Sequence, residues 1–176
     1  MNSELKTPNS KLKTNSELQI KMTLPKLNFP EYSFSVRQSD GKAEIFDIAR
    51  KKYVALTPEE WVRQHVVHYL HHTLEYPIEL IQVEGSITFN KMPKRCDIII
   101  YNASMKPLLL VECKKPEVQL QQKTFDQAMI YNMVLNVPYI LITNGLQNAC
   151  FSYDKTVGQV VFHNGIPDWD TLQKMG

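Results

Sequence analysis

Residues 94–116 read KRCDIIIYNASMKPLLLVECKKP, and this stretch organises the rest of the chain. Two apolar runs, residues 98–101 and 108–111, flank a segment rich in turn-forming residues. Apolar runs of this length on either side of a turn predict an antiparallel hairpin of buried strands. Asp97 and Glu112 then close matching ends of the two strands.

The register of this hairpin decides what its charged ends can do. If Tyr101 faces Leu108, the same register places Asp97 opposite Glu112. Because side chains alternate along a strand, Lys114 then shares a face with Glu112, about 6.6 Å further along. A slip of one residue would turn Glu112 to the other face. A plain buried hairpin with solvated charged ends is the alternative interpretation.

Two facing carboxylates repel each other and therefore need a neutralising partner. A divalent cation held by both carboxylates, with a lysine beside it, is the simplest partner. The same repulsion predicts a raised pKa for at least one carboxylate. It also predicts that Asp97→Asn costs no stability in the absence of metal.

The composition suits one globular domain with a core of its own, since 43% of the 176 residues are hydrophobic and 22% are charged. No apolar run is long enough for a membrane span, and no signal-peptide segment is evident at the N-terminus. The three cysteines, Cys96, Cys113 and Cys150, are odd in number and far apart. They predict a reducing, cytoplasmic location without a disulfide framework.

Residues 1–21 form a short imperfect repeat, NSELKTP, NSKLKT and NSEL, with no aromatic residue. Such a segment predicts a disordered extension, and residues 22–176 then form the single folded domain, with Met22 as an alternative start. The extension carries four lysines against two glutamates, which accounts for the whole formal charge of +2. Any affinity for nucleic acid must therefore come from local clusters of basic residues.

Residues 32–37 and 43–48 predict an N-terminal β-hairpin around Asp40-Gly41. Residues 50–52, Arg-Lys-Lys, are interpreted as a solvated turn. Later elements are predicted as strands at residues 80–89, Tyr139–Thr143, 149–153 and 159–162, and as helices at residues 124–136 and 168–174. In the first of these helices, Thr124 and Gln127 have the spacing of a capping box.

Thr57-Pro58-Glu59-Glu60 predicts the start of a helix that runs to about Leu74, with Thr57 as N-cap and Glu60 closing a capping box. Helical spacing directs Glu59 towards the core, while Glu60 points away and acts only as a cap. The predicted buried stripe comprises Val62, Val66, Tyr69, Leu70 and Thr73.

Four histidines, His65, His68, His71 and His72, lie on this helix. The segment HxxHxxHH lacks the acidic partner of an HExxH motif. A polar helix face is therefore favoured over a histidine metal site.

Three motifs together resemble the PD-(D/E)xK nuclease superfamily. They are Asp97, then Glu112-Cys113-Lys114 at the end of the next strand, then Gln127 and Tyr131 spaced as QxxxY, which is typical of the RecB-type branch. The phrases TPEEWVRQH, RCDIIIYN, PLLLVECKKPE and PYILITNG are similar to the N-terminal nuclease domain of type I restriction enzyme R subunits.

The resemblance implies an α/β fold with a restriction-endonuclease-like core. In that core a central mixed β-sheet is flanked by helices in the order αβββαβ, here preceded by the N-terminal β-hairpin. The sequence has Cys96 where the motif often has proline. No phosphate loop of a motor ATPase occurs, so the resemblance carries over the nuclease module alone.

The resemblance also implies the roles of the site residues in a metal-dependent endonuclease. Asp97, Glu112 and the backbone carbonyl of Cys113 would bind Mg²⁺ or Mn²⁺, and Glu59 is a further candidate ligand. Lys114 would orient or deprotonate the attacking water. Gln127 and Tyr131 would position the phosphodiester or the water. The basic residues expected to contact DNA are Lys94, Arg95, Lys115 and Lys123.

Two alternatives use the same fold. One is a non-catalytic DNA-binding or adaptor protein, which would hold phosphates without chemistry. The other is a homodimeric enzyme resembling Holliday-junction resolvases. The expected partners are DNA and a separate motor or specificity subunit.

Overall fold

The structure is a computed structural model that describes residues 24–89, 91–154 and 156–174. The predicted extension at residues 1–21 and the alternative start at Met22 lie outside this part of the chain. Among the described residues, no helix is both long and apolar enough to cross a bilayer.

A small antiparallel sheet precedes the main domain and consists of β1 (Val36–Ser39), β2 (Lys42–Asp47) and β3 (Lys52–Ala55). The predicted turn connects its first two strands, because Asp40 and Gly41 both adopt positive φ, 50° and 74°, as a tight hairpin turn requires. The third strand was not predicted, since KYVA is too short to show a pattern.

Six strands form the central sheet in the order β4-β5-β6-β7-β8-β9. Their bounds are β4 (Ile81–Phe89), β5 (Met92–Tyr101), β6 (Pro107–Cys113), β7 (Tyr139–Thr143), β8 (Asn148–Asp154) and β9 (Gln159–His163). Only β6 and β7 run parallel, and they are connected through helix α2 (Gln122–Leu135). The sheet is therefore mixed, and the predicted order αβββαβ is confirmed from α1 (Pro58–His68) to β7.

Helices cover both faces of this sheet. Val62, Val66 and Leu70 of the first helical segment pack on one face with Ile98 and Val111. On the other face, Ala128 and Tyr131 of α2 pack with side chains of the same two strands, such as Ile99 and Leu110. Each fully buried aliphatic side chain contributes about 1.5–3 kcal/mol, so these two layers are the main source of stability.

Helix α1 is buried on nearly all sides, which corrects the prediction of a single buried stripe. Residues 62–68 are all buried, while Thr73, assigned to the stripe, is exposed. The helix has the central sheet on one side and the aromatic residues Phe29, Tyr32 and Phe34 on the other. Helix α1 continues as a π-helical turn over Tyr69–Thr73. A short helix, α3 (Trp169–Gln173), lies near the end of the described chain.

The organising hairpin has the predicted register over its centre. Ile98 pairs with Val111 and Ile100 with Leu109. At the turn, however, Tyr101 pairs with Pro107 and not with Leu108 as predicted. A bulge after Ile100 shifts the pairing at the turn by one residue. The pairs on the other side of the bulge, towards the carboxylates, keep the predicted register.

Strand β5 changes face at Asp97. Cys96 packs on the α2 side of the sheet, whereas Ile98, two residues later, packs on the α1 side. Opposite this point, Glu84 of β4 has a left-handed φ of 57°, and no pairing is formed between the pairs Val83–Ile98 and Gly85–Cys96. Asp97 lies at this irregularity, between a residue that packs on the α2 side and one that packs on the α1 side.

Candidate active site

Asp97 accepts hydrogen bonds from two neighbours, one on helix α1 and one on strand β6. Its Oδ1 accepts a hydrogen bond from Nη2 of Arg63 on α1 at 2.7 Å. Its Oδ2 accepts one from the backbone N–H of Cys113 on β6, also at 2.7 Å. Because Arg63 is 7% exposed and Asp97 16%, this ion pair is largely desolvated and much stronger than a surface pair.

Glu112 lies next to the pair Ile98–Val111 on β6 and is almost completely buried. Its Oε1 accepts hydrogen bonds from Nζ of Lys114 at 2.6 Å and from Nε2 of Gln127 at 2.7 Å. Its Oε2 is also buried, and none of the described residues bonds to it. The predicted same-face arrangement of Glu112 and Lys114 is confirmed.

Lys114 and Glu112 each influence the pKa of the other. Burial, followed by the charge of Asp97, raises the pKa of Glu112 to about 7 despite the hydrogen bond from Lys114. Burial alone would lower the pKa of Lys114, but the hydrogen bond and charge of Glu112 outweigh burial and raise it. Lys114 is therefore protonated at neutral pH, which suits a group that stabilises negative charge.

Gln127 connects the carboxylates to helix α2. Besides Glu112, its amide nitrogen reaches the hydroxyl of Tyr131 at 3.0 Å. The helix begins at Gln122 without a side-chain cap, so the predicted capping box of Thr124 and Gln127 is wrong. The amide bonds the buried carboxylate instead, because that partner is charged.

Arg63 is the residue that sequence reasoning missed. Its guanidinium bonds Glu60 through Nη1, and through Nη2 it bonds both Asp97 and Glu59, the latter at 3.3 Å. The orientations predicted for the two glutamates are wrong: Glu60 is buried among arginines, whereas the Glu59 side chain is 44% exposed. Thr57 does cap the helix, bonding the backbone N–H of Glu60 at 3.1 Å. The side chain of Glu60 does not take part in the cap, because a second cation also bonds it.

That second cation is Arg50, whose side chain is only 12% exposed. The prediction of a solvated turn is therefore wrong for Arg50, whereas Lys51 and Lys52 are exposed as predicted. The guanidinium of Arg50 bonds the carboxylates of Asp47, Glu60 and Glu84, each at 2.5 Å. Asp47 comes from β2 and Glu84 from β4, so Arg50 fastens the N-terminal sheet to the layer that holds Asp97.

The four predicted DNA contacts are not brought to one place. Lys94 and Lys123 line a groove beside Gln127 and Tyr131, together with Asp126 and Ile130. Arg95 is exposed and pairs with Glu84, while Lys115 is exposed beyond the end of β6. Two of the four basic residues, Lys94 and Lys123, therefore share a groove with Gln127, which bonds Glu112.

The histidines do not form the predicted polar face. His65 and His68 are buried against Phe34, with ring centroids 4.7 and 4.6 Å away. Burial, followed by the charges of neighbouring histidines, lowers the pKa of His68 to about 4. Across the described ranges, no three side chains of His, Cys, Asp or Glu come together as a metal site.

The carboxylate pair nevertheless offers the donors that a hard divalent ion prefers. The unbonded Oε2 of Glu112 is a buried acceptor, and such an atom is costly unless a cation or donor satisfies it. Asp97 keeps one lone pair on each oxygen beyond the bonds it accepts. Carboxylate oxygens are the ligands that Mg²⁺ and Mn²⁺ prefer, so the side chains of Asp97 and Glu112 fit such an ion.

A mixed sheet with helices on both faces, with a D…ExK set on two neighbouring strands and QxxxY on the helix that follows them, defines a restriction-endonuclease-like domain. Residues 58–167 match the family model for the N terminus of the type I restriction enzyme R protein. The chain belongs to this family. Among curated proteins, none matches the chain.

A solved structure supports the same fold. It is a fragment assigned as an HsdR subunit of a type I restriction enzyme from Vibrio vulnificus YJ016, and it is 21% identical with a TM-score of 0.51. The match covers 68% of this chain but 25% of the solved one, so this chain spans about a quarter of that structure's length.

Proposed function

We propose that this domain is a deoxyribonuclease that hydrolyses phosphodiester bonds of DNA with Mg²⁺ or Mn²⁺. The observation that carries the proposal is the convergence of Lys114 and Gln127 on one oxygen of Glu112, near Asp97, while no described residue bonds the other oxygen. A structural ion pair alone would have no use for a buried, unsatisfied carboxylate oxygen.

Asp97, Glu112 and the Cys113 carbonyl would hold the ion, and Glu59, which bonds the same arginine as Asp97, is a further candidate ligand. When bound, the ion lowers the pKa of a water and neutralises charge on the phosphate. Glu112 must lose the proton that its raised pKa retains before it can act as a ligand.

The remaining residues act on the substrate. The protonated Lys114 orients the attacking water and stabilises the negative charge that develops on the phosphate oxygens. Gln127 fixes Glu112 and, with the Tyr131 hydroxyl, presents polar groups to the DNA backbone. Lys94 and Lys123 bind the flanking phosphates along the groove, and the partner in a larger assembly is a motor or specificity subunit.

The test is cleavage of supercoiled plasmid by the wild-type chain and by Lys114→Ala and Glu112→Gln, with Mn²⁺ or Mg²⁺ and with EDTA. We expect each variant to lose about 10²–10³-fold in rate. Lys115→Ala is the matched control, because Lys115 is the exposed neighbour of Lys114, and its loss should weaken DNA binding only slightly. Equal cleavage by wild type and Lys114→Ala would contradict the proposal.

The same preparations separate the two alternatives. DNA binding that ignores both the divalent ion and Glu112→Gln would favour a non-catalytic DNA-binding protein. Preferential cleavage of a four-way junction by a dimer would favour the resolvase-like enzyme.

A further inference from the structure

The side chain of Arg63 is placed in the site more firmly than any other cation near Asp97. It is 7% exposed, and its two terminal nitrogens bond three carboxylates, those of Glu59, Glu60 and Asp97. Lys114, by comparison, is 22% exposed and bonds one carboxylate. Arg63 therefore cannot leave Asp97 without breaking contacts on its other side.

Glu60 is the reason for this firmness. Its Oε1 accepts hydrogen bonds from Arg50 at 2.5 Å and from Gln64 at 2.8 Å, while its Oε2 is bonded to Arg63. Glu60 is buried, so every one of these bonds forms in a poorly solvated environment. The guanidinium is anchored at Nη1, and its Nη2 is directed at Asp97.

Asp97 and Glu112 each have a bonded cation, Arg63 and Lys114 respectively. Arg63 also bonds Glu59 and Glu60, and Glu60 is paired with Arg50 as well. A divalent cation that binds the carboxylates meets a fixed positive charge already bonded to one of them. In a poorly solvated site that repulsion is strong. A DNA phosphate next to the ion would offset it.

We propose that Arg63 is the resident counter-cation of the site: it competes with the divalent ion for Asp97, so that tight metal binding requires a DNA phosphate. This inference rests on the proposed function. Arg63 is a positioning residue in this scheme, since it acts on the ion through Asp97. By reciprocity, metal must tighten DNA binding by the same factor as DNA tightens metal binding.

The test measures the Mn²⁺ dissociation constant of the full chain from the electron paramagnetic resonance signal of free Mn²⁺. Each protein is titrated alone and with a saturating 12-base-pair duplex. For wild type we expect the duplex to tighten Mn²⁺ binding at least tenfold. For Arg63→Gln we expect Mn²⁺ to bind at least tenfold more tightly without DNA, and the duplex to add less than threefold.

Two controls isolate the charge of Arg63. Arg63→Lys keeps the charge and must keep the weak, DNA-dependent binding of wild type. Arg37→Gln removes an equal charge at the exposed Arg37–Glu44 pair of the N-terminal sheet and must change nothing. Arg63→Lys behaving like Arg63→Gln would overturn the proposal, because charge would then not be the cause.

Loss of Arg63 leaves the buried Glu60 without one partner, so a second variant guards against a folding defect in the single one. The double variant Glu60→Gln, Arg63→Gln removes one charge of each sign and frees Asp97 without stranding a buried carboxylate. Its folding is checked by far-ultraviolet circular dichroism. We expect it also to bind Mn²⁺ at least tenfold more tightly than wild type in the absence of DNA.

The outcomes separate this proposal from the proposed function. If wild type, Arg63→Gln and the double variant bind Mn²⁺ equally while wild type still cleaves DNA, only the role of Arg63 is overturned. If no variant binds Mn²⁺ with or without duplex, both proposals fail. One further result would overturn the role of Arg63. It is DNA-dependent Mn²⁺ binding in wild type together with weaker Mn²⁺ binding, without that dependence, in Arg63→Gln.

Discussion

Asp97 and Glu112 stand side by side on neighbouring strands, yet their surroundings differ in kind. Asp97 is paired with an anchored arginine and a backbone N–H, so both of its oxygens have donors. Glu112 shares one oxygen between a lysine and an amide, and its other oxygen is unbonded. Asp97 therefore has a partner for each oxygen, whereas burial raises the pKa of Glu112 to about 7. Each site residue can be assigned to one of these two environments.

The largest effect that separates the two carboxylates is on stability without metal. Asp97→Asn removes the partner of a buried arginine and should cost about 3 kcal/mol, as for a broken buried ion pair. Glu112→Gln removes a carboxylate that is already half neutral and should cost less than about 1 kcal/mol. Urea unfolding in EDTA measures both. Equal losses would show that Arg63 does not stabilise Asp97.

The second effect is the pH dependence of stability. The folded-state pKa of Glu112 is raised to about 7, so between its ordinary value and pH 7 the folded chain binds a proton that the unfolded chain has lost. Its contribution to the free energy of unfolding must therefore fall as the pH rises through this window. We expect wild type to lose about 2 kcal/mol relative to Glu112→Gln between pH 5 and 7.5. A constant difference between the two proteins would contradict the raised pKa.

A smaller effect should follow from Gln127→Ala. The substitution removes the amide that shares the bonded oxygen of Glu112 and should cost about 1–2 kcal/mol, as for a hydrogen bond to a charged group. The free energy of unfolding should therefore be lower for Gln127→Ala than for wild type, while the contacts of Asp97 are left in place. Combining it with Glu112→Gln in a double-mutant cycle tests this, since additive losses would mean that the two side chains do not interact.

The smallest effect belongs to Tyr131→Phe. The hydroxyl only accepts a bond from Gln127, which has the charged carboxylate as its main partner, so its loss should cost about 0.5 kcal/mol. Thermal unfolding is sensitive enough to detect it. A loss as large as that of Gln127→Ala would place Tyr131, and not Glu112, as the principal partner of the amide.

The parts of the fold that the sequence could predict are those set by local patterns. The strand Tyr139–Thr143 has the predicted bounds because five apolar or β-branched residues stand between a proline and an Asn-Gly turn. The register of residues 98–100 with 109–111 follows from two apolar runs of equal length. The motif residues on the Glu112 side were predicted because the lysine and glutamine lie close to Glu112 in sequence or share a recognised spacing.

The Asp97 side could not be predicted in this way. Arg63 is 34 residues from Asp97, and its approach depends on how α1 packs on the sheet. Glu60 has the sequence of a capping residue, and only the arrival of Arg50 and Arg63 turns its side chain inward. The sequence showed repulsion between two carboxylates but not the arginine that relieves it. It therefore predicted the opposite sign for Asp97→Asn.

The reversal of β5 at Asp97 has a consequence for protein engineering. Because Cys96 and Ile98 pack in opposite layers, the strand cannot be cut and rejoined at this point by the usual rule of alternating residues. The pairs Val83–Ile98 and Gly85–Cys96 keep one register on either side of this point, so the change of face is made without adding a residue to either strand. A transplant of this candidate site into another sheet must therefore carry residues 83–85 and 96–98 together, as one insert.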